Sequence, residues 1–168
     1  MIFETLSVKH LAMLLQFESE NKAWFESMLP PREDYFYRDL GIKMHIYDAI
    51  INMQLGTHYS GVLIVNEQIV ARANLKDITG QTNTAAVGYR VAKNSIGKGY
   101  ASFCLNELIS IAAQHYAVNQ LEALVLDNNP ASKAVLLKCG FKAQSHKDNY
   151  MTINGLTLGV THFSRAPI

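Results

Sequence analysis

The chain has 168 residues, of which 49% are hydrophobic and 17% charged, and its net charge is +1. That length suits one domain, 1–168, with a real core, and is short for two. Scattered basic residues at near-neutral balance give no field that would draw nucleic acid. The apolar runs fall short of a membrane span, and no signal peptide opens the sequence. Two cysteines, Cys104 and Cys139, fall on expected helices and read as reduced thiols of a cytoplasmic protein.

Ile2 to Leu6 reads as a short first strand. Ser7 suits the N-cap of a helix reaching Glu20, with Leu11, Leu14, Leu15 and Phe17 as its apolar positions. A second segment, Asn21 to Met28, carries Trp24 and Phe25 and is broken by Pro30-Pro31. Arg32 to Gly56 is long and amphipathic, and Gly41 is expected to split or bend it. Tyr35, Leu40, Met44, Tyr47, Ile51 and Leu55 recur there near helical spacing. They are expected as core and rim, with a substrate groove as the alternative.

Thr57–Val65 and Ile69–Leu75 read as strands joined by the turn Asn66-Glu67-Gln68. Residues 76–83, with Gly80, read as a loop, and Thr84–Ala92 as the next strand. Within it Val87, Tyr89 and Val91 alternate with Gly88 and Arg90. Three strands with short links predict an antiparallel meander. A polar turn, Lys93-Asn94-Ser95, then leads to Gly97 and Gly99 and to the main helix, Gly99–Tyr116. Ala101, Leu105, Leu108 and Ala112 line one face of it.

Strand, glycine turn and helix in that order favour an anion. The first amides of a helix lack internal partners, and the helix dipole adds partial positive charge there. Two glycines let a phosphate approach the backbone. Such a pair is common in ordinary strand–helix turns as well, so this stretch alone leaves phosphate binding open. A Walker loop is excluded because no Lys-Ser/Thr follows the glycines. A dinucleotide fingerprint lacks its third glycine, where Ser102 and Phe103 stand.

Val118–Leu126 holds a strand. Asn129 and Pro130 suit the cap and first position of a short helix, which Gly140 ends. Phe141–Met151 and Thr157–Ser164 read as final strands joined by Ile153-Asn154-Gly155-Leu156. The expected fold class is α/β (α+β): a mixed, mostly antiparallel central sheet flanked by helices. A ligand would sit where strands diverge, near the ends of those preceding Gly97 and Asn129. No histidine pair has metal-ligand spacing, and no metal is expected.

Three motifs occur together: Val87-Gly88-Tyr89-Arg90-Val91, Ile96-Gly97-Lys98-Gly99-Tyr100-Ala101, and Asn129-Pro130-Ala131-Ser132 followed by Val135-Leu136-Leu137-Lys138-Cys139-Gly140-Phe141. In this order they resemble the GNAT family of N-acetyltransferases, nearest its ribosomal-protein-alanine branch. Asn21 to Phe25, Pro30-Pro31-Arg32 and Asp148 to Gly155 resemble that branch too. The resemblance implies a sheet splayed at the cofactor site and acetyl-CoA as co-substrate. It implies cofactor contacts from Tyr89, Arg90, Val91, Ile96, Gly97, Lys98, Gly99, Tyr100, Ala101, Asn129 and Ser132. The diphosphate would take the amides of Gly97 to Ala101, and the pantetheine would pair along Tyr89 to Val91. Asn129 would bond the pantetheine arm. Ser132 would be the catalytic residue, a donor to the departing sulfur, and the Val91 N–H would face the oxyanion.

The chain departs from the family pattern at Ile96, where Gln or Arg is usual. Ala85 and Ala86 stand where many relatives carry a basic Glu, and Leu136 where many carry an acidic Tyr. The base is unassigned, with His45, His58 and His115 open as candidates or as ordinary surface histidines. An α-amino group, titrating near pH ~8 against ~10.4 for lysine, tolerates a weak base better. The resemblance leaves three readings: N-acetylation of a protein N-terminus, acetylation of a small amine (antibiotic, polyamine or amino acid), and a non-catalytic acyl-CoA-binding module. The implied partner is an amine acceptor, and the implied state a monomer or homodimer.

Overall fold

A computed structural model describes residues 1–79 and 82–166. Its centre is a seven-stranded sheet in the order β1-β2-β3-β4-β5-β7-β6. The strands are β1 (Ile2–Thr5), β2 (Tyr59–Val65), β3 (Gln68–Thr79), β4 (Thr84–Val91), β5 (Gln120–Leu126), β6 (Lys142–Ile153) and β7 (Leu156–Arg165). Every neighbouring pair is antiparallel except β4 and β5. The expected mixed, mostly antiparallel sheet is therefore present. The meander β2-β3-β4 turns at Asn66 and Glu67, both at positive φ, the geometry of a primed hairpin turn. β3 runs further than expected, to Thr79, so the first half of the loop placed at 76–83 is strand. Gly80 lies outside the described residues.

Helices α1 (Leu11–Glu20), α2 (Lys22–Glu26) and α3 (Asp39–Gln54) cover one face of the sheet, and α4 (Tyr100–His115) and α5 (Pro130–Lys138) the other. Two cores result. Leu105, Leu108 and Ala112 of α4 pack on Ala71, Ala73 and Leu75 of β3 and Leu121 and Ala123 of β5. Leu14, Phe17, Phe25, Ile42 and Ile46 pack on Val62 and Ile69. α5 ends as expected: Gly140 donates to the Leu137 carbonyl and Phe141 to that of Leu136, a Schellman closure. No helix among the described residues is long and apolar enough to cross a membrane.

Two expectations in the 32–56 stretch fail. Gly41 neither splits nor bends a helix. A short 3-10 turn at Asp34–Tyr37 comes first, and Gly41 lies in the first turn of α3. It is glycine because the backbone packs tightly there: a Cβ would lie 2.2 Å from the Tyr35 carbonyl oxygen. The apolar series Tyr35, Leu40, Met44, Tyr47, Ile51 and Leu55 is also not core, since each of these side chains is exposed. α3 carries two apolar stripes. The buried one is Gly41, Ile42 and Ile46, and periodicity alone does not say which stripe meets the sheet.

Candidate active site

β5 pairs with β4 only over Thr84–Ala86, and the two strands then part. On β4 the Ala92 N–H bonds Val70 of β3 at 2.9 Å. By strand alternation the main-chain groups of Tyr89 and Val91 point the other way, into the gap. The Val91 carbonyl there accepts from the Trp24 indole N–H at 3.2 Å. Its N–H is left facing the opening.

The gap holds a cavity of about 160 Å³ between Val87–Tyr89 and Ala123–Leu126, with Asn129, Ser132 and Leu136. It adjoins a larger cleft of about 470 Å³ lined by Trp24, Phe25, Met28 and Leu29, by Tyr89–Val91, and by the start of α4. Of the loop residues Ile96, Gly97, Lys98 and Gly99, all but Lys98 line that cleft. Gly97 and Gly99 sit at φ 75° and 80°, and nothing lies within 4 Å of where a Cβ would be. The space is open, and the left-handed backbone there favours glycine. Gly99 caps α4, and the first intrahelical bond is Phe103 N–H to the Gly99 carbonyl at 3.0 Å. The amides of Tyr100, Ala101 and Ser102 precede that bond and face the cleft mouth. Two glycines with open space above them, next to unpaired amides, fit a diphosphate.

Asn129 is the expected N-cap of α5: its Oδ1 accepts from the Ser132 N–H at 3.0 Å. Its amide nitrogen has no protein acceptor among the described residues, and the residue lines both cavities. Cap and ligand donor are therefore compatible roles for one side chain. The Ser132 hydroxyl lies 2.9 Å from the Tyr89 hydroxyl, which is also 3.2 Å from the Ser132 carbonyl. Burial pushes the Tyr89 phenol up to about 12, so it keeps its proton at neutral pH. Arg90 was expected with the cofactor, and it does line the larger cleft. Its guanidinium turns to the opposite face of the sheet, however, and meets Glu18 at 3.1 Å.

The histidines sort by position. His45 accepts from Arg72 Nη2 at 2.7 Å. Burial and then the charges of Arg72 and Arg32 pull it down to about 3, so it is no base near neutrality. His58, whose carbonyl accepts from Tyr116, and His115 lie at the far end of α4, about 24 Å from the glycine loop at 1.5 Å per residue. His10 is buried against Ser7 and Glu4. His146 sits on β6 between Asp127 and Asp148. His162 is different. It pairs in register with Leu124, which lines the gap, and its Nε2 is 3.8 Å from the Glu122 carboxylate.

Sequence reasoning missed the Tyr89–Ser132 hydroxyl pair, His162, and the wall formed by Trp24, Met28 and Leu29. Each depends on β-register or on how α2 docks. Cys104 and Cys139 are free and buried. Burial raises both thiols, Cys104 to about 12, so neither is an available nucleophile. Among the described residues no cluster of His, Cys, Asp or Glu is placed to hold a metal ion.

The sequence profile of the acetyltransferase (GNAT) domain matches residues 1–142. A probable N-acetyltransferase, YjcK of Bacillus subtilis (strain 168), is 26% identical over 145 residues, covering 84% of this chain and 80% of that protein. Among solved structures, the fold is similar to that of RimL, a ribosomal L7/L12 alpha-N-protein acetyltransferase in complex with coenzyme A. That likeness has a TM-score of 0.90 and 20% identity and covers 98% of this chain and 92% of the other. It is also similar to spermidine N-acetyltransferase from Vibrio cholerae in complex with CoA and spermine, with a TM-score of 0.82, 15% identity, and 99% and 95% coverage.

Proposed function

Because this chain belongs to the GNAT acetyltransferase family, we propose that it moves an acetyl group from acetyl-CoA to the α-amino group of a protein N-terminus, of ribosomal-protein type. The observation that carries this reading is the parted β4 edge, which opens onto both the bare glycine loop and the Ser132 hydroxyl. Acetyl-CoA supplies an acyl carbon activated as a thioester, which an amine attacks directly with loss of the thiolate.

The residues divide the work as follows. The amides at the start of α4 hold the diphosphate. The Val91 N–H, aimed into the gap, faces the carbonyl oxygen as it gains charge. The Asn129 amide donates to the pantetheine arm while its oxygen caps α5. Ser132 donates its proton to the leaving sulfur, and the Tyr89 hydroxyl behind it keeps the serine proton pointed forward. His162, held by Glu122, takes the amine proton, directly or through a water.

An N-terminal acceptor is supported by the likeness to RimL, by the order of the motifs in the sequence, which resembles the ribosomal-protein-alanine branch, and by an amine pKa that asks little of the base. The polyamine reading is disfavoured. The sheet face beside the gap carries Arg72, Arg90 and Lys76, which would repel a polycation.

The test is thiol release from acetyl-CoA with three acceptors: peptides with a free N-terminal Ala or Ser, N-blocked peptides carrying one lysine, and spermidine. Free N-termini are expected to turn over fastest. Faster turnover of spermidine or of blocked lysine peptides would overturn the reading. His162→Asn should lower turnover about tenfold or more below pH 8 and less above it, where the acceptor amine loses its own proton. An unchanged pH profile would remove His162 from the mechanism.

A further inference from the structure

On the sheet face covered by α1–α3, one carboxylate meets several cations. Arg72 of β3 and Arg90 of β4 are register partners, so their side chains lie on the same face, side by side. Both bond Glu18, Arg72 through Oε1 and Arg90 through Oε2. Both oxygens of the acid that these two arginines share are therefore used. The remaining partner of Arg72 is His45, which accepts and is neutral. Arg32 lies over the Phe36 ring, 4.0 Å from its centroid. Arg90 lies over Phe25 at 4.9 Å. Further along the same face of β3 stands Lys76, in the field of all three arginines.

Neither Arg32 nor Lys76 has a carboxylate within ion-pair distance among the described residues. A cluster serving the fold alone would be neutralised from within, because unpaired charge at a half-buried position such as that of Arg32 is costly. Glu18 gives Arg72 and Arg90 one oxygen each but a single negative charge between them, and Arg32 and Lys76 add two more positive charges. The aromatic rings pre-position the guanidinium planes, which suits forked binding of an oxyanion. Phe25, over whose ring the Arg90 guanidinium lies, lines the 470 Å³ cleft, so the cluster stands one ring behind the place where an acceptor would approach.

We propose that Arg32, Arg72, Arg90 and Lys76 form an anion subsite of the acceptor groove, which selects acceptors carrying a carboxylate or phosphate a few bonds from the amine. This rests on the acetyl-transfer reading. It deepens that reading by naming an acidic acceptor class.

The test pairs the tripeptides Ala-Glu-Gly with Ala-Gln-Gly and Ala-phosphoSer-Gly with Ala-Ser-Gly, at low and high salt, on the wild type and on Arg32→Gln. The wild type should favour the charged member about tenfold in kcat/KM at low salt, roughly the worth of one charge-assisted hydrogen bond. Salt should shrink that preference. Arg32→Gln should cut it to about twofold while sparing the neutral peptides. The two pairs tell carboxylate from phosphate. Equal rates within both pairs, or a preference untouched by Arg32→Gln, would overturn the subsite and leave acetyl transfer standing.

If no peptide turns over, transfer to peptides fails separately, and the subsite is read by calorimetry with N-acetyl-Ala-Glu-Gly, N-acetyl-Ala-phosphoSer-Gly and their neutral twins. Binding of a charged peptide alone, lost in Arg32→Gln, supports the subsite. No binding, or equal binding of charged and neutral peptides, overturns it.

Discussion

Ser132→Ala should lower kcat about 100-fold and change CoA affinity less than twofold, a loss within the range for removing a general acid. The expectation comes from position. Ser132 sits in the first turn of α5 with its hydroxyl 2.9 Å from Tyr89, at the junction of the two cavities. The phosphate end of the cofactor would be held elsewhere, at the start of α4, so binding should survive. Tyr89→Phe separates two versions of the role. If the phenol only orients the serine, Tyr89→Phe should lower kcat about tenfold and the double variant should be little worse than Ser132→Ala, so that Ser132→Ala costs only about tenfold in the Tyr89→Phe background. If the two effects simply multiply, the hydroxyls act independently and the coupled arrangement is wrong. Stopped-flow thiol release gives kcat, and calorimetry with CoA gives the affinity. Unchanged kcat in Ser132→Ala would remove the residue from the chemistry.

What was legible in the sequence was whatever local backbone rules fix. Hairpin turns, the Asn129 cap, the closure at Gly140 and the glycine loop before α4 all follow from residue type and near neighbours, and the structure has each of them. What was not legible depends on distant parts of the chain. α3 presents apolar residues on two sides, and only packing against β2 and α1 decides that Ile42 and Ile46 are covered and Leu40 and Tyr47 exposed. The partner of Ser132 lies 43 residues away on β4, and His162 comes to stand beside Leu124 only through the β5–β7 register. One signal was available and passed over. Glu18 falls four residues after Leu14, on the buried stripe of α1. A charge at a core position of a helix calls for a buried partner, and Arg72 and Arg90 were the candidates within the strands.

That buried carboxylate gives the largest stability effect expected here. Glu18 is fully buried between two arginines. Burial by itself would raise its pKa. The fields of Arg72, Arg90 and Arg32, with the Arg72 hydrogen bond, outweigh burial and hold it below the usual 4.5. A folded-state pKa below the unfolded one contributes stability that is present above pH 4.5 and is lost as pH falls through the folded value. Glu18→Ala should therefore destabilise the protein by about 3–5 kcal/mol at pH 7, since it strands two buried guanidiniums. At this chain length that is roughly 10 °C in Tm. Glu18→Gln keeps the shape and removes only the charge, so its deficit should be constant from pH 7 down to about 4.5 and shrink below that. Urea titrations of both variants from pH 3 to 7 read this directly. A deficit under about 1 kcal/mol at pH 7, or one that grows in acid, would show that the arginines do not depend on Glu18. The same substitution bears on the acceptor. Folded Glu18→Gln presents Arg72 and Arg90 with no anion of the chain's own, so Ala-Glu-Gly should bind it more tightly than wild type. A fold that needs Glu18 and an acceptor that competes with it are then two consequences of one uneven charge count.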